Sequence, residues 1–283
     1  MTRSPLSPPL LLPAAGGLPV LLSIPHSGRE YPRWLLAESR RGLAALEPLE
    51  DPLVDRLAWR AIGLGVPTVI ARAPRAAIDC NRSPEEIDPS TISMAPEADP
   101  GPRARGGLGL IPGRTPRDGE LWRRKLSMAE LEQRKAEAWT PYHQAVETGL
   151  EQLQRRFGEV LLLDCHSMPA RGAKHPPIVF GDRHARTSAR WLSDLARRTV
   201  EEQGLRVAFN DPYAGGWIVE HHGHPQAGVH ALQIEIDRGH YLDATMRKPG
   251  PGFARLANLL EILARALGEA LLGRAANLPA AAE

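Results

Sequence analysis

The chain has 283 residues, enough to bury a full core, with 35 basic against 33 acidic residues and no dense basic stripe of the kind that tracks nucleic acid. Its two cysteines, Cys80 and Cys165, exclude a disulfide scaffold, and no run reaches the ~18 to 20 apolar residues that span a bilayer. The Leu-rich patch at 10–22 follows only Arg3 and is broken by Pro13, Gly16, Gly17 and Pro19, a poor signal peptide, so a reduced, cytoplasmic setting is expected.

Residues 1–17, rich in Pro, Ser and Gly, read as a flexible arm. An apolar strand over 18–24 then runs into Pro25-His26-Ser27-Gly28, where the glycine permits a tight turn or a close ligand. Residues 50–57 read as a helix start, with Asp51 as N-cap and Pro52 at the first helical position. The helix closes at Gly63-Leu64-Gly65, and 66–71 reads as a second buried strand. Ile78-Asp79-Cys80-Asn81-Arg82 leaves regular structure with an arginine suited to a bidentate grip on a carboxylate. Residues 88–118, dense in Pro, Gly and Arg and lacking a hydrophobic period, read as a long loop: a lid, a binding loop or a disordered segment. From 119 to 157 the pattern is helical, broken near Thr140-Pro141, with Trp122 and Trp139 in the core and Gly158 as terminator.

The most informative stretch follows. Val160-Leu161-Leu162-Leu163 is a strand buried on both faces, and it stops abruptly at Asp164-Cys165-His166-Ser167. Ligands of open α/β sheets bind beyond such carboxyl ends. Asp164 and His166 are two apart and share a face, so the aspartate can fix the imidazole as a base or a metal ligand. A short strand at 178–180 ends in Gly181-Asp182, a helix covers 187–203 and a strand 205–209. Pro212-Tyr213-Ala214-Gly215-Gly216 reads as a turn that lets backbone approach a bound group. His221, His222, His224 and His230 crowd together, but their spacings match no closed structural zinc site. Residues 231–237 alternate, with Gln233, Glu235 and Asp237 on one face. In a central strand Glu235 points where the other strand ends converge; an edge strand gives the same pattern without function. An amphipathic helix at 253–272 and an Ala-rich tail close the chain.

Alternating strands and helices indicate α/β. Strand ends carrying His26, Asn81-Arg82, His166 and Asp182, with Asp51 and Glu235, supply what a catalytic zinc site requires. Such a site needs about three protein ligands, an open position for water and a carboxylate to take that water's proton.

These motifs, in this order, resemble the N-formylglutamate amidohydrolase (deformylase) family, distant relatives of zinc carboxypeptidases, over about residues 19–245. The resemblance rests on Ile24-Pro25-His26-Ser27-Gly28, Asp51 with Val54-Asp55-Arg56-Leu57, Asp79-Cys80-Asn81-Arg82 and Pro141-Tyr142-His143. It continues through Asp164-Cys165-His166-Ser167-Met168, Gly181-Asp182, Pro212-Tyr213-Ala214-Gly215-Gly216 and the run from Gly228 to Ile236. It implies a three-layer α/β/α fold around a mixed sheet: a single domain over 18–275, with the arm at 1–17 and a tail at 276–283. It also implies one zinc or other divalent ion held by His26, Asp51 (in preference to Glu50) and His166, with Glu235 as general base and then acid. Asn81, Arg82, Tyr213, Gly215 and Gly216 would contact a small anionic N-acyl amino acid. The implied reaction releases formate and L-glutamate from N-formyl-L-glutamate, a histidine-degradation step. Two other readings stay open: hydrolysis of another N-acyl amino acid or a carboxypeptidase-like substrate, and a non-catalytic metal- or acid-binding domain. A base such as Glu235 is superfluous in the last. Which of Arg75, Arg82, Arg105, Arg114 and Arg134 meets which substrate carboxylate is not legible in the sequence. The His-rich run at 221–224 and residues 96–118 depart from the family pattern and bear on the substrate more than on the zinc site. Neither a membrane nor a nucleic acid is expected as a partner.

Overall fold

The computed structural model describes residues 3–276; most of the expected tail, 277–283, and the first two residues of the arm lie outside the described residues. The chain divides into two compact units. One comprises the residues up to Leu10, Pro25–Asp51 and Ile70–Ala145; the other comprises Leu11–Ile24, Pro52–Val69 and the chain from Val146 onward.

The strands are β1 (Leu10–Leu12), β2 (Val20–Ile24), β3 (Thr68–Ile70), β4 (Arg114–Thr115), β5 (Gly119–Glu120), β6 (Val160–Met168), β7 (Ile178–Gly181), β8 (Val207–Phe209) and β9 (Val229–Asp237). Seven of them form one sheet in the order β1-β3-β2-β6-β9-β7-β8, which belongs to the second unit apart from Leu10 and Ile70. β2, β6 and β9 run parallel, while β7 is antiparallel to β9 and parallel to β8, so the sheet is mixed. Every residue of β6 is buried, as is β9 from His230 onward. The alternation at 231–237 is therefore that of a central strand, and Glu235 lies inside the sheet.

Helices cover both faces of this sheet. A Cβ at Gly268, in the helix Phe253–Ala276, would meet Val20 at 3.2 Å. One at Gly149, in the helix Thr140–Phe157, would meet Leu21 at 3.1 Å. Successive strand residues point to opposite faces, so the two helices pack on opposite sides and the layers read α/β/α.

The first unit has its own core, including Leu6, Leu35, Leu46, Ile78, Ile92, Leu110, Leu121, Trp122 and Leu131. Several expectations are corrected here. Residues 88–118 are not a disordered loop: Ile92, Ala104, Leu110 and Ile111 are buried, and Gly101–Arg105 is a short helix. With apolar anchors spaced irregularly, the segment packs without a period. The helical stretch does not begin near 119, because Gly119–Glu120 pairs with Arg114–Thr115 as a hairpin. It begins at Met128, where Ser127 and Glu130 form a reciprocal capping box. Nor does it break at Thr140-Pro141: Lys135–Trp139 forms a π-helical turn that leads directly into the helix Thr140–Phe157. Asp51 is not an N-cap. The helix starts at Val54, and Leu53 occupies the cap position in the left-handed region at φ 61°.

Candidate active site

In the first unit the site is built from loops. His26 follows β2 by two residues and is buried. Its Nδ1 lies 3.2 Å from Asp51 Oδ2, and its Nε2 lies 2.7 Å from Asp79 Oδ1. The Asp51 amide donates to the His26 carbonyl at 2.9 Å, so backbone and side chain tie the same two loops together. This pairing explains the failed cap: the Asp51 carboxylate faces an imidazole instead of a helix end.

Asp79 is the hub. Its Oδ2 accepts from Arg75 Nε at 2.8 Å and lies 3.9 Å from Arg82 Nε, while its Oδ1 also accepts from the Asn81 amide at 2.8 Å. Burial alone would raise this carboxyl, but the charges of Arg75, His26 and Arg82 outweigh it and hold it well below the usual carboxylate range. An ionised Asp79 on Nε2 favours the tautomer that carries its proton there, which makes Nδ1 the lone-pair donor.

Asn81 and Arg82 are both buried. Arg82 donates through Nε to the Leu108 carbonyl and through Nη1 to the Asn81 carbonyl, each at 2.8 Å. Trp139 caps this loop by donating its indole N–H to the Arg82 carbonyl at 3.1 Å. The remaining candidate arginines sort cleanly. Arg134 is buried on Glu38 and the Ala77 carbonyl, Arg105 pairs with Asp99, Arg114 donates to the Arg105 carbonyl, and Arg75 serves Asp79.

In the second unit the site is built from strand register. His166 Nε2 lies 2.8 Å from Asp164 Oδ2, and Asp164 Oδ1 accepts the Ser23 hydroxyl at 2.7 Å. Ser23 and Asp164 are direct partners across β2 and β6. The tautomer logic repeats: an aspartate on Nε2 leaves Nδ1 of His166 as the lone-pair atom. His166 stands opposite Glu235 across β6 and β9. Glu235 Oε1 accepts from Gln233 Nε2 at 3.0 Å, and Gln233 Oε1 accepts from the Gly216 amide at 2.9 Å. The Tyr213–Gly216 turn is thereby tied to Glu235 through one side chain, with Gly215 and Gly216 buried and Tyr213 half-buried.

By donor chemistry, the first unit offers a buried imidazole and a buried carboxylate in His26 and Asp51, and the second a buried imidazole in His166. That composition suits zinc and admits other divalent ions. Neither cysteine competes for a chemical role: burial, and then the neighbouring Asp79 or Asp164 charge, pushes both thiols far up and removes the thiolate.

The sequence profile of the N-formylglutamate amidohydrolases matches residues 18–242. The chain belongs to that family. Among curated relatives of this chain, an N-formylglutamate deformylase of Pseudomonas aeruginosa is 30% identical, with 91% of this chain and 94% of the relative covered. A second deformylase, from Pseudomonas putida, is 28% identical over 91% and 93%. The crystal structure of an N-formylglutamate amidohydrolase from Ralstonia eutropha JMP134 is 32% identical and superposes with a TM-score of 0.86, covering 94% of this chain and 99% of that one. Family and fold expected from the motifs are thus both found.

Two residues of the chain gain contacts that pattern reading did not give them. Asp79 was visible as part of a motif, but nothing local shows that it reaches His26, 53 residues earlier. Gln233 carried a usable signal, since the alternation already placed it on the face of Glu235.

Proposed function

We propose that the protein hydrolyses the formyl amide of N-formyl-L-glutamate to formate and L-glutamate with one divalent metal, zinc by donor set, in the cytoplasm as a histidine-degradation step. His26, Asp51 and His166 are the protein ligands in this reading. The observation that carries it is the repeated motif in which a buried aspartate stands on Nε2 of each histidine. By separate means each imidazole is left with Nδ1 as its lone-pair atom, which supports a shared metal as the acceptor in this reading. Relatives that are N-formylglutamate deformylases support this choice of substrate.

Bound there, the metal supplies a Lewis acid for the scissile carbonyl and makes an attacking water more acidic. Glu235 takes a proton from that water as it adds to the formyl carbon, and delivers a proton to the glutamate nitrogen as the C–N bond breaks. Gln233 holds the carboxylate in place from one side and the Gly216 backbone from the other. Asn81 and Arg82 present the polar groups for one substrate carboxylate, and Tyr213, Gly215 and Gly216 line the bound acid. An N-acetyl or peptide substrate would use the same steps; the formyl group is favoured by the family assignment alone.

A substrate panel tests this reading. Formate release from N-formyl-L-glutamate should exceed acetate release from N-acetyl-L-glutamate and cleavage of a glutamyl dipeptide by at least about 100-fold in kcat/KM. Equal rates would leave an acyl-amino-acid hydrolase of wider scope, and no turnover of any of them would leave a binding domain.

A further inference from the structure

A dicarboxylate substrate requires a second cation, and we infer that Arg183 receives its side-chain carboxylate, with Glu220 holding the guanidinium in place when that carboxylate is absent. This assignment rests on the formylglutamate reading above. Its evidence lies wholly within the second unit.

Arg183 begins an unusual stretch of backbone. Arg183, His184 and Ala185 all have positive φ, at 53°, 59° and 63°. A single non-glycine residue there is uncommon, and three in succession persist only where the surroundings fix them. They are fixed. Asp182 Oδ1 accepts from the Ala185 amide and from Asn210 Nδ2, each at 2.9 Å, and Asp182 Oδ2 accepts the Ser193 hydroxyl at 2.9 Å. Asn210 Oδ1 accepts from the amides of Asp182 and His184, and the Arg183 amide donates to the Ala214 carbonyl at 2.8 Å. His184 and Ala185 are exposed, so this bracing does not serve their side chains. It aims Arg183.

The arginine is aimed along the substrate-lining turn. A Cβ at Gly215 would meet Arg183 Cγ at 3.3 Å, and Arg183 Nη1 lies 3.5 Å from the Gly215 carbonyl oxygen. The next residue, Gly216, bonds to Gln233, which bonds to Glu235. Gly181, two residues before Arg183, pairs with Gln233 across β7 and β9. Arg183 is therefore joined to the proposed base through one turn residue and one side chain, along the turn that lines the substrate in the proposed function.

The guanidinium is also incompletely used. Nη2 pairs with Glu220 Oε1 at 2.5 Å, and Glu220 is 44% exposed. Nε is buried with no hydrogen-bond partner. A buried N–H without an acceptor is costly, and a planar carboxylate is the acceptor that satisfies Nε and an Nη together. Arg238, which follows β9, donates to the Ser167 hydroxyl and carbonyl.

The test compares kcat/KM for formate release from N-formyl-L-glutamate and N-formyl-L-glutamine in the wild type, Arg183→Gln and Glu220→Gln, with thermal melting as the check on folding. The wild type should prefer the glutamate compound, and Arg183→Gln should cut that preference by roughly 30- to 100-fold, chiefly through KM. Glu220→Gln, which removes the competing carboxylate, should lower KM for the glutamate compound about 2- to 5-fold. An unchanged preference in Arg183→Gln, with both substrates slowed equally or neither slowed, overturns the assignment while leaving the formylglutamate reading intact. If Arg183→Gln does not fold, a KM for the glutamate compound that is unchanged or raised in Glu220→Gln overturns it. A wild type that cleaves neither substrate overturns the reading and this inference together.

Discussion

The two units hold their proposed functional residues by different physics. In the first, His26 and Asp51 sit on loops, and their geometry depends on a buried charge cluster: Asp79 between His26, Arg75 and Arg82. In the second, His166 and Glu235 sit on adjacent central strands, and hydrogen-bonded register places them opposite each other before any side chain interacts. Loops bring residues from distant parts of the chain together but need charges to fix them. Strands need no such network. The first arrangement should therefore fail as a fold when a charge is removed, and the second should fail as chemistry.

Four substitutions sharpen that contrast. The largest effect is expected from Glu235→Gln, which should slow formate release by about 10²- to 10⁴-fold at unchanged melting temperature and zinc content. Asp79→Asn comes next. It leaves the buried Arg82 with Glu86 as its ion-pair partner, takes the Asp79 charge from the half-buried Arg75, and should cost about 3 to 5 kcal/mol by denaturant unfolding, with zinc affinity down roughly 10- to 100-fold. Asp164→Asn should lower zinc affinity by a similar factor but cost only about 1 to 3 kcal/mol, since it weakens the acceptor of the Ser23 hydroxyl and, among the described residues, no arginine pairs with it. Equal destabilisation by these two aspartate variants would break the distinction between the units.

The smallest effect lies away from the site. Glu130 closes the capping box of the helix Met128–Arg134, and its bond to Arg124 first, then those to Ser127, lower its carboxyl to about 2 against the opposing effect of burial. The depressed value means a contribution fully present above the ordinary carboxylate range near 4.5 and lost as pH falls toward about 2. Glu130→Gln should cost about 1 kcal/mol at neutral pH with activity unchanged. Melting curves of variant and wild type should converge between pH 4.5 and 2.

The same contrast explains what was legible in the sequence. The central strands announced themselves: four aliphatic residues ending at Asp164-Cys165-His166, and an alternation that put Gln233 and Glu235 on one face. Period and position carry that information locally. The first unit is largely built from short helices and irregular segments, and the corrected helix boundaries fall within it or at its junctions, at Asp51, near 119 and at Thr140. A proline after Asp51 reads as a helix start only if the aspartate has no stronger partner, and His26 is that partner from 25 residues away. Likewise the left-handed turn at Arg183–Ala185 leaves no trace in residue type, since it contains no glycine; Asp182 and Asn210 impose it from outside.

The most direct test of the central claim is formate release from N-formyl-L-glutamate by the purified protein, measured as isolated, after complete chelation, and after titration with zinc. The account predicts activity that chelation abolishes and that returns in proportion to bound zinc, reaching its maximum at one equivalent per chain. Undiminished release from protein shown to be free of metal would contradict it.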